Sequence, residues 1–420
     1  MPSRISPTLC ARCKGSRRLC GRPRCPIVAR LASHYEFKVK YRKTELFGAS
    51  PPSVFVGEYG YPTVKLGPLV PPFTDDEKAS LLERPNLWYG MKLEDIIKMR
   101  CSLIRSNFTL HVRKADRTDL KLLELTRELA LSSKPVDSEV LFEKPPRPRL
   151  SFDGIIAPIG PSGRLRDFKL AENPYVPRKV DSLADDFDVK AFIAVKELYR
   201  SGFDVYYINR LLSLGMLGRR GDRRLVPTRW SITATDSMVG DYLLEKVRDF
   251  EEVSEILLYT SSYLDNHYYV LLLPGSYAFE MIEIWLPRSV WVKEAKPFIG
   301  ENFELTDGKW QKADVDGGYK AMRLAALEHL YRIKRQAMVF SIREIGPGYY
   351  APVGVWQVRE SMRKAFESKP KKFDDIKDAL EELKRKVRTP FKMWYKKAQL
   401  PKIFMFQKRI TNYVTKLPRG

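Results

Sequence analysis

A mixed α+β body is predicted by two features of this sequence: β-rich runs close enough to pair locally, and amphipathic helical stretches grouped apart from them. The runs EILLYTSSY (255–263) and HYYVLLLPG (267–275) are joined by Leu264-Asp265-Asn266, and AFEMIEIWL (278–286) continues the pattern. A meander of antiparallel strands is expected there. Apolar residues three and four apart mark KLEDIIKMRCSLI (92–104) and DRTDLKLLELTRELALSS (116–133) as helices. At 420 residues, 44% hydrophobic and 12% aromatic, the chain exceeds one small domain and holds ample material for a core.

Taken in order, the chain divides into a cysteine-rich arm (1–29), an N-terminal lobe (30–150), an α+β core lobe (151–360) with an antiparallel sheet and flanking helices, and a basic helical region (361–420). The Pro/Gly-rich stretch 49–73 is too broken for a helix and reads as an ordered wrapping segment. Thr74-Asp75-Asp76-Glu77 offers a helix N-cap with acids in the first turn. FEKPPRPRLSFDG (142–154) is a proline-rich connector and marks the boundary between the lobes. Beyond it, 189–202 and 205–217 read as helices with Gly202 between them, 317–336 as a helix and 337–345 as a strand. From 355 onward the pattern is mostly helical.

The net charge of +23 is polarised. Residues 1–25 hold seven basic groups and no acid; residues 361–420 hold eighteen basic and six acidic groups; the middle is nearly balanced at 49 against 45. Crowded like charge is unfavourable unless a polyanion neutralises it, and each phosphate neutralised releases a counterion, so nucleic acid is the expected partner. The competing reading is a solvated, highly charged surface of the thermophilic kind, where charge is mixed in sign rather than polarised. No apolar run is long enough to span a bilayer, the N-terminus carries no secretory pattern, and five cysteines do not make a disulfide scaffold, so a cytoplasmic location without membrane contact is expected.

Cys10, Cys13, Cys20 and Cys25 place four thiols within sixteen positions. A C-x-x-C turn lets two thiolates meet one tetrahedral ion, and the second pair closes the site without leaving room for water. Structural Zn2+ in a compact knuckle is therefore expected, against disulfides or an iron–sulfur cluster. Cys101 stands alone in an amphipathic helix and reads as core.

GRRGDRRLVPTRWSITATD (218–236) is the sharpest remaining signal. Arg219, Arg220, Arg223 and Arg224 surround Gly221-Asp222, and Arg229-Trp230 precede a helix whose start Thr233 or Thr235 could cap. Clustered guanidinium groups grip phosphate and an indole stacks on a base, so these six residues are the expected DNA contacts; an exposed basic loop with a buried Trp is the alternative. A nuclease would need paired acids. Asp222 and Asp236 flank the cluster, whereas Glu280 and Glu283 fall on opposite faces of one strand and cannot share a metal. His34, His111, His267 and His329 are scattered. No catalytic residue is assigned.

The four-cysteine arm, FVGEYGYPTVKLGP (55–68), IGPSGRLRDFKLAENPYVPRKVD (159–181), RRLVPTRWSITATD (223–236), LPGSYAFEMIEIWLP (273–287) and GPGYYAPVGVWQVRESM (346–362) together resemble the archaeal Nre (NreA-type) DNA repair proteins. The resemblance spans nearly the whole chain and implies a part in DNA damage repair at the archaeal nucleoid, without specifying a biochemical activity. That family commonly ends in a motif for the sliding clamp PCNA, which Gln407, Ile410 and Tyr413 match and from which Val414 departs. A short helical turn would direct Ile410 and Tyr413 into one hydrophobic pocket; the alternative is that these aromatics fasten the last segment to the body. The expected function is a DNA repair factor that holds DNA on basic surfaces and recruits the clamp. A metal-dependent nuclease or nucleotide-processing enzyme acting on damaged DNA is the alternative, and an RNA-binding factor a third possibility.

Overall fold

The computed structural model describes residues 43–117, 119–147, 160–290, 292, 295–306, 310–314 and 317–406, with Arg12, Cys13, Arg17, Leu19, Gly21, Cys25 and Val28 of the arm. Two sheets organise these residues. The first has six strands in the order β1-β5-β6-β4-β3-β2. Its strands are β1 (Glu45–Ser50), β2 (Val54–Val56), β3 (Thr63–Val70), β4 (Ile104–His111), β5 (Val136–Phe142) and β6 (Ser162–Leu170). Neighbours pair antiparallel except β4 with β6, which run parallel.

Two expectations are corrected here. The 49–73 stretch is not a wrapping segment; it supplies the end of β1 and all of β2 and β3, because most of its prolines fall between strands rather than within them. Residue 150 does not bound a lobe either, since β6 lies beyond it and pairs with β5 and β4. The helix expected over 92–104 ends at Ser102 as α2 (Leu93–Ser102), and β4 begins two residues later. Before it, α1 (Asp76–Leu81) starts where the capping pattern placed it, with the Asp75 carboxylate accepting the Lys78 amide. α3 (Lys121–Leu131) is shorter than its pattern because 112–116 form a 3-10 turn.

The second sheet has the order β11-β10-β9-β12-β8-β7-β13. β7 (Ile256–Tyr263) and β8 (Asn266–Leu273) form the expected hairpin, whose turn residues Leu264 and Asp265 both adopt positive φ. The meander stops there. β9 (Ala278–Trp285) does not pair with β8; β12 (Met338–Ile345) inserts between them, antiparallel to β8 and parallel to β9. The chain reaches it through β10 (Phe298–Glu304), β11 (Trp310–Ala313) and the helix α8 (Gly317–Ile333), and β13 (Lys371–Phe373) closes the far edge on β7.

These central strands are buried at almost every position because both faces are covered. One face carries Tyr268, Val270, Leu272, Phe279, Met281 and Val339 against α5 (Ala191–Arg200), α6 (Val205–Ser213), α7 (Thr228–Val247), α8 (Gly317–Ile333) and α9 (Trp356–Glu367), preceded by α4 (Arg178–Asp185). This core is continuous with the inner face of the first sheet through Val56, Leu66 and Phe168. The other face packs Leu271, Ile282 and Phe340 under α10 (Ile376–Lys386), α11 (Phe391–Tyr395) and α12 (Leu400–Phe406). α7 and α8 approach closely at Gly240, where a Cβ would stand 2.7 Å from an Arg323 nitrogen. The mixed α+β body is thus as expected. The zinc knuckle belongs to a segment in which only isolated residues are described.

Candidate nucleic-acid interface

The turn between β2 and β3 leaves Glu58, Tyr59, Gly60, Tyr61 and Pro62 exposed, since pairing ends at Val56 and resumes at Thr63. Gly60 takes φ +89, and a Cβ there would meet the Thr63 carbonyl at 2.9 Å. Three hydrogen bonds link this hairpin, directly or through Val112, to distant segments. The Val112 amide donates to the Pro62 carbonyl at 2.9 Å, and the Leu225 amide to the Val112 carbonyl at 3.0 Å. The Val56 amide donates to the Thr228 hydroxyl at 2.9 Å, where α7 begins.

The first turn of α7 is thereby set beside the hairpin. Trp230 lies with its ring 5.0 Å from that of Tyr61, inclined by 50°, and Arg229 pairs with Glu58 at 3.3 Å. Water still reaches these rings: Tyr59 is 92% exposed, Tyr61 52% and Trp230 44%. Lys65, Arg113 and Lys114 are exposed on the same connected segments, and Arg224 is half-buried. Tyr59 and Tyr61 were not singled out in the sequence; two aromatics set between turn residues in GEYGYP were the available signal.

The remaining arginines occupy a second location. Arg219 and Arg220 are exposed on a 3-10 turn (Arg220–Asp222) that leans on the loop between α4 and α5. There the Arg219 Nε donates to the Asp188 carbonyl at 3.4 Å and the Arg220 guanidinium lies 4.6 Å over the Phe187 ring. Arg223 turns inward instead. It is buried, donates to the carbonyls of Gly218 and Asp186 at 2.7 and 2.8 Å, and covers Phe187 from 4.2 Å. Burial lowers its pKa, as does the Arg127 charge. Its guanidinium closes the loop. The expected cap also shifts: α7 starts at Thr228 with Pro227 before it, and Thr233 and Thr235 lie within the helix.

Asp222 is exposed at the end of the 3-10 turn, whereas Asp236, Glu280 and Glu283 are committed to structure. Asp236 is buried and accepts from Arg359 through both oxygens. Glu280 and Glu283 do face opposite ways: Glu283 binds Arg343 at 2.8 Å, while Glu280 accepts the Gln399 and Leu400 amides at the start of α12. Burial pushes the Glu280 carboxyl up to about 8. His329 is stacked 4.1 Å from the Phe366 ring, and burial lowers its pKa to about 4. Among the described residues no group of three or more His, Cys, Asp or Glu is placed to hold a metal. No described helix is long and apolar enough to cross a membrane.

Of the four arm cysteines, Cys13 and Cys25 are described, whereas Cys10 and Cys20 lie outside the described residues. Cys13 is buried, and its sulfur accepts the Leu19 amide at 3.4 Å. Gln407, Ile410, Tyr413 and Val414 also lie outside the described residues. The basic C-terminal region is partly compensated by acids of the body. Of its fourteen lysines and arginines up to Phe406, four pair with acids outside the region: Arg363 with Glu328 and Glu360, Lys372 with Glu255, Arg388 with Asp265 and Lys397 with Asp314. The charge excess there is smaller than the sequence arithmetic implies.

The family models described as "Archaeal Nre, N-terminal" and "Archaeal Nre, C-terminal" match residues 19–292 and 304–413. The chain belongs to the archaeal Nre family. It is 40% identical to DNA repair protein NreA of Archaeoglobus fulgidus over 90% of this chain and 93% of that protein. It is 35% identical to DNA repair protein NreB of the same organism, over 94% and 97% respectively. Identity to DNA repair protein NreA of Haloferax volcanii is 39%, over 84% and 87%. No solved structure matches. In this Nre chain the aromatic–basic surface lies wholly within the N-terminal family region, while the Glu280 anchor joins that region to the C-terminal one.

Proposed function

We propose that this chain is a DNA repair factor that binds DNA on the surface around Arg229 and Trp230 and recruits the sliding clamp through its C-terminal segment. The observation that carries the DNA reading is the exposed Tyr61–Trp230 pair beside Arg229, with Arg113, Lys114 and Arg224 on the segments that hydrogen-bond to the same hairpin. Guanidinium and ammonium groups supply the sequence-independent attraction to phosphate. Arg219 and Arg220 extend it at the loop beside Phe187. The names of the Nre relatives point the same way. A structural Zn2+ held by Cys10, Cys13, Cys20 and Cys25 would order the arm and present its arginines, and the buried Cys13, whose sulfur accepts the Leu19 amide, suits that role.

Clamp recruitment rests on Gln407, Ile410 and Tyr413, the form that clamp-binding segments take. The experiment is capture of this chain by the sliding clamp of the same cell, using intact protein, Ile410→Ala with Tyr413→Ala, and a chain ending at Phe406. The intact protein should be retained, and both altered forms should pass through with unchanged melting temperatures. Equal retention of all three would remove the clamp from the function and leave DNA binding to be judged on its own.

A further inference from the structure

We propose that Tyr59, Tyr61 and Trp230 form a stacking platform for an unpaired nucleobase, so that the preferred ligand of this surface is DNA with single-stranded or extrahelical bases. The inference rests on the DNA-binding reading and names the state of DNA that the site takes.

Of the seven exposed aromatic side chains among the described residues, three gather on this hairpin and the first turn of α7. The hairpin and helix that carry them are held in place by the Val56, Val112 and Leu225 amide bonds, so the rings do not need to be gathered when a ligand arrives. Tyr61 and Trp230 meet at an inclination of 50°, so neither ring is stacked face to face on the other.

Charge selects what that flat group is attached to. Segments 57–65, 109–114 and 224–233 carry Lys65, Arg113, Lys114, Arg224 and Arg229 against the single acid Glu58, which Arg229 already pairs. The next acid after Lys114 is Asp116, whose charge acts on the buried Arg223. An apolar or acidic peptide could use only one part of this surface, whereas a strand of nucleic acid uses rings and cations together. Duplex DNA offers phosphate but keeps its base faces stacked inside. A platform of open rings therefore favours strands whose bases are free.

The test uses the full chain and one DNA sequence in three forms: single strand, blunt duplex, and duplex with one extrahelical 2-aminopurine. The unaltered protein should bind the first and third about ten-fold more tightly than the second and quench the 2-aminopurine emission. Tyr61→Ala with Trp230→Ala, and Tyr59→Ala separately, should remove that preference and the quenching, weakening the single strand and the extrahelical duplex far more than the blunt duplex, while melting temperature stays unchanged. Equal affinity of the unaltered protein for all three forms, or an equal loss for all three in the variants, would overturn the platform. So would a single RNA strand bound more tightly than the DNA strand. Binding of duplex alone would leave the DNA reading standing without the platform; no binding of any form at low salt would remove both.

Discussion

Arg359 donates to both carboxylate oxygens of Asp236, at 2.6 and 2.5 Å, with both side chains buried between α7 and α9. Tyr206 lies beside the pair, 5.0 Å from the guanidinium, and gives its own hydroxyl to Glu360. A carboxylate held this way is a structural acid rather than an open metal ligand. Arg359→Met would leave it buried without its counter-charge, and the unfolding free energy should fall by about 3–5 kcal/mol in urea denaturation. Adding Asp236→Leu should restore most of that loss. If Asp236→Asn instead left stability intact and abolished a divalent-dependent DNA cleavage, the nuclease alternative would be correct.

Glu280 fastens the last described helix. It accepts the Gln399 amide at 2.8 Å and the Leu400 amide at 2.7 Å. Burial raises its pKa to about 8, from an ordinary value of 4.5, with Glu301 adding to the rise. The folded state thus holds a proton that the unfolded chain releases earlier. This contribution to stability is full below pH 4.5 and is lost as pH rises through about 8. Glu280→Gln keeps an acceptor for the amides and removes the titration. Its melting temperature should fall less than that of the unaltered protein between those pH values. Glu280→Ala should cost about 1–3 kcal/mol below pH 4.5, where the titration does not enter, because two buried amides lose their acceptor.

The arm can be tested by its metal. Purified protein should contain about one zinc per chain, released with protons on mild acidification as thiolates are protonated. Replacing Cys13 and Cys25 by Ser should abolish the metal without altering the fold of residues 43–406. Iron in its place, or fully oxidised thiols, would show that a cluster or disulfides close the arm.

The sequence made the hairpin of β7 and β8, the helical patterns and the opposed faces of Glu280 and Glu283 readable, because each depends on local periodicity. What stayed hidden depends on distant pairing. Nothing between 278 and 345 indicates that β12 slips between β8 and β9, since strand order is set by the crossover through α8. The prolines around β2 and β3 hid two strands that pair with each other and, through β3, with β4. The interface was half legible. Arg229 and Trp230 were found by their clustering, whereas Tyr61 joins them only through the fold, and Arg223 could not be told from its exposed neighbours without Phe187 beneath it.

The account stands most directly on the salt dependence of DNA affinity. Log affinity measured against log salt for a blunt duplex should fall steeply with the unaltered chain. The triple variant Arg113→Gln, Lys114→Gln, Arg229→Gln changes only exposed cations and should lower that slope by about 2–3, at about 0.9 for each phosphate no longer neutralised. An unchanged slope and affinity in the triple variant would contradict the placement of DNA on this surface.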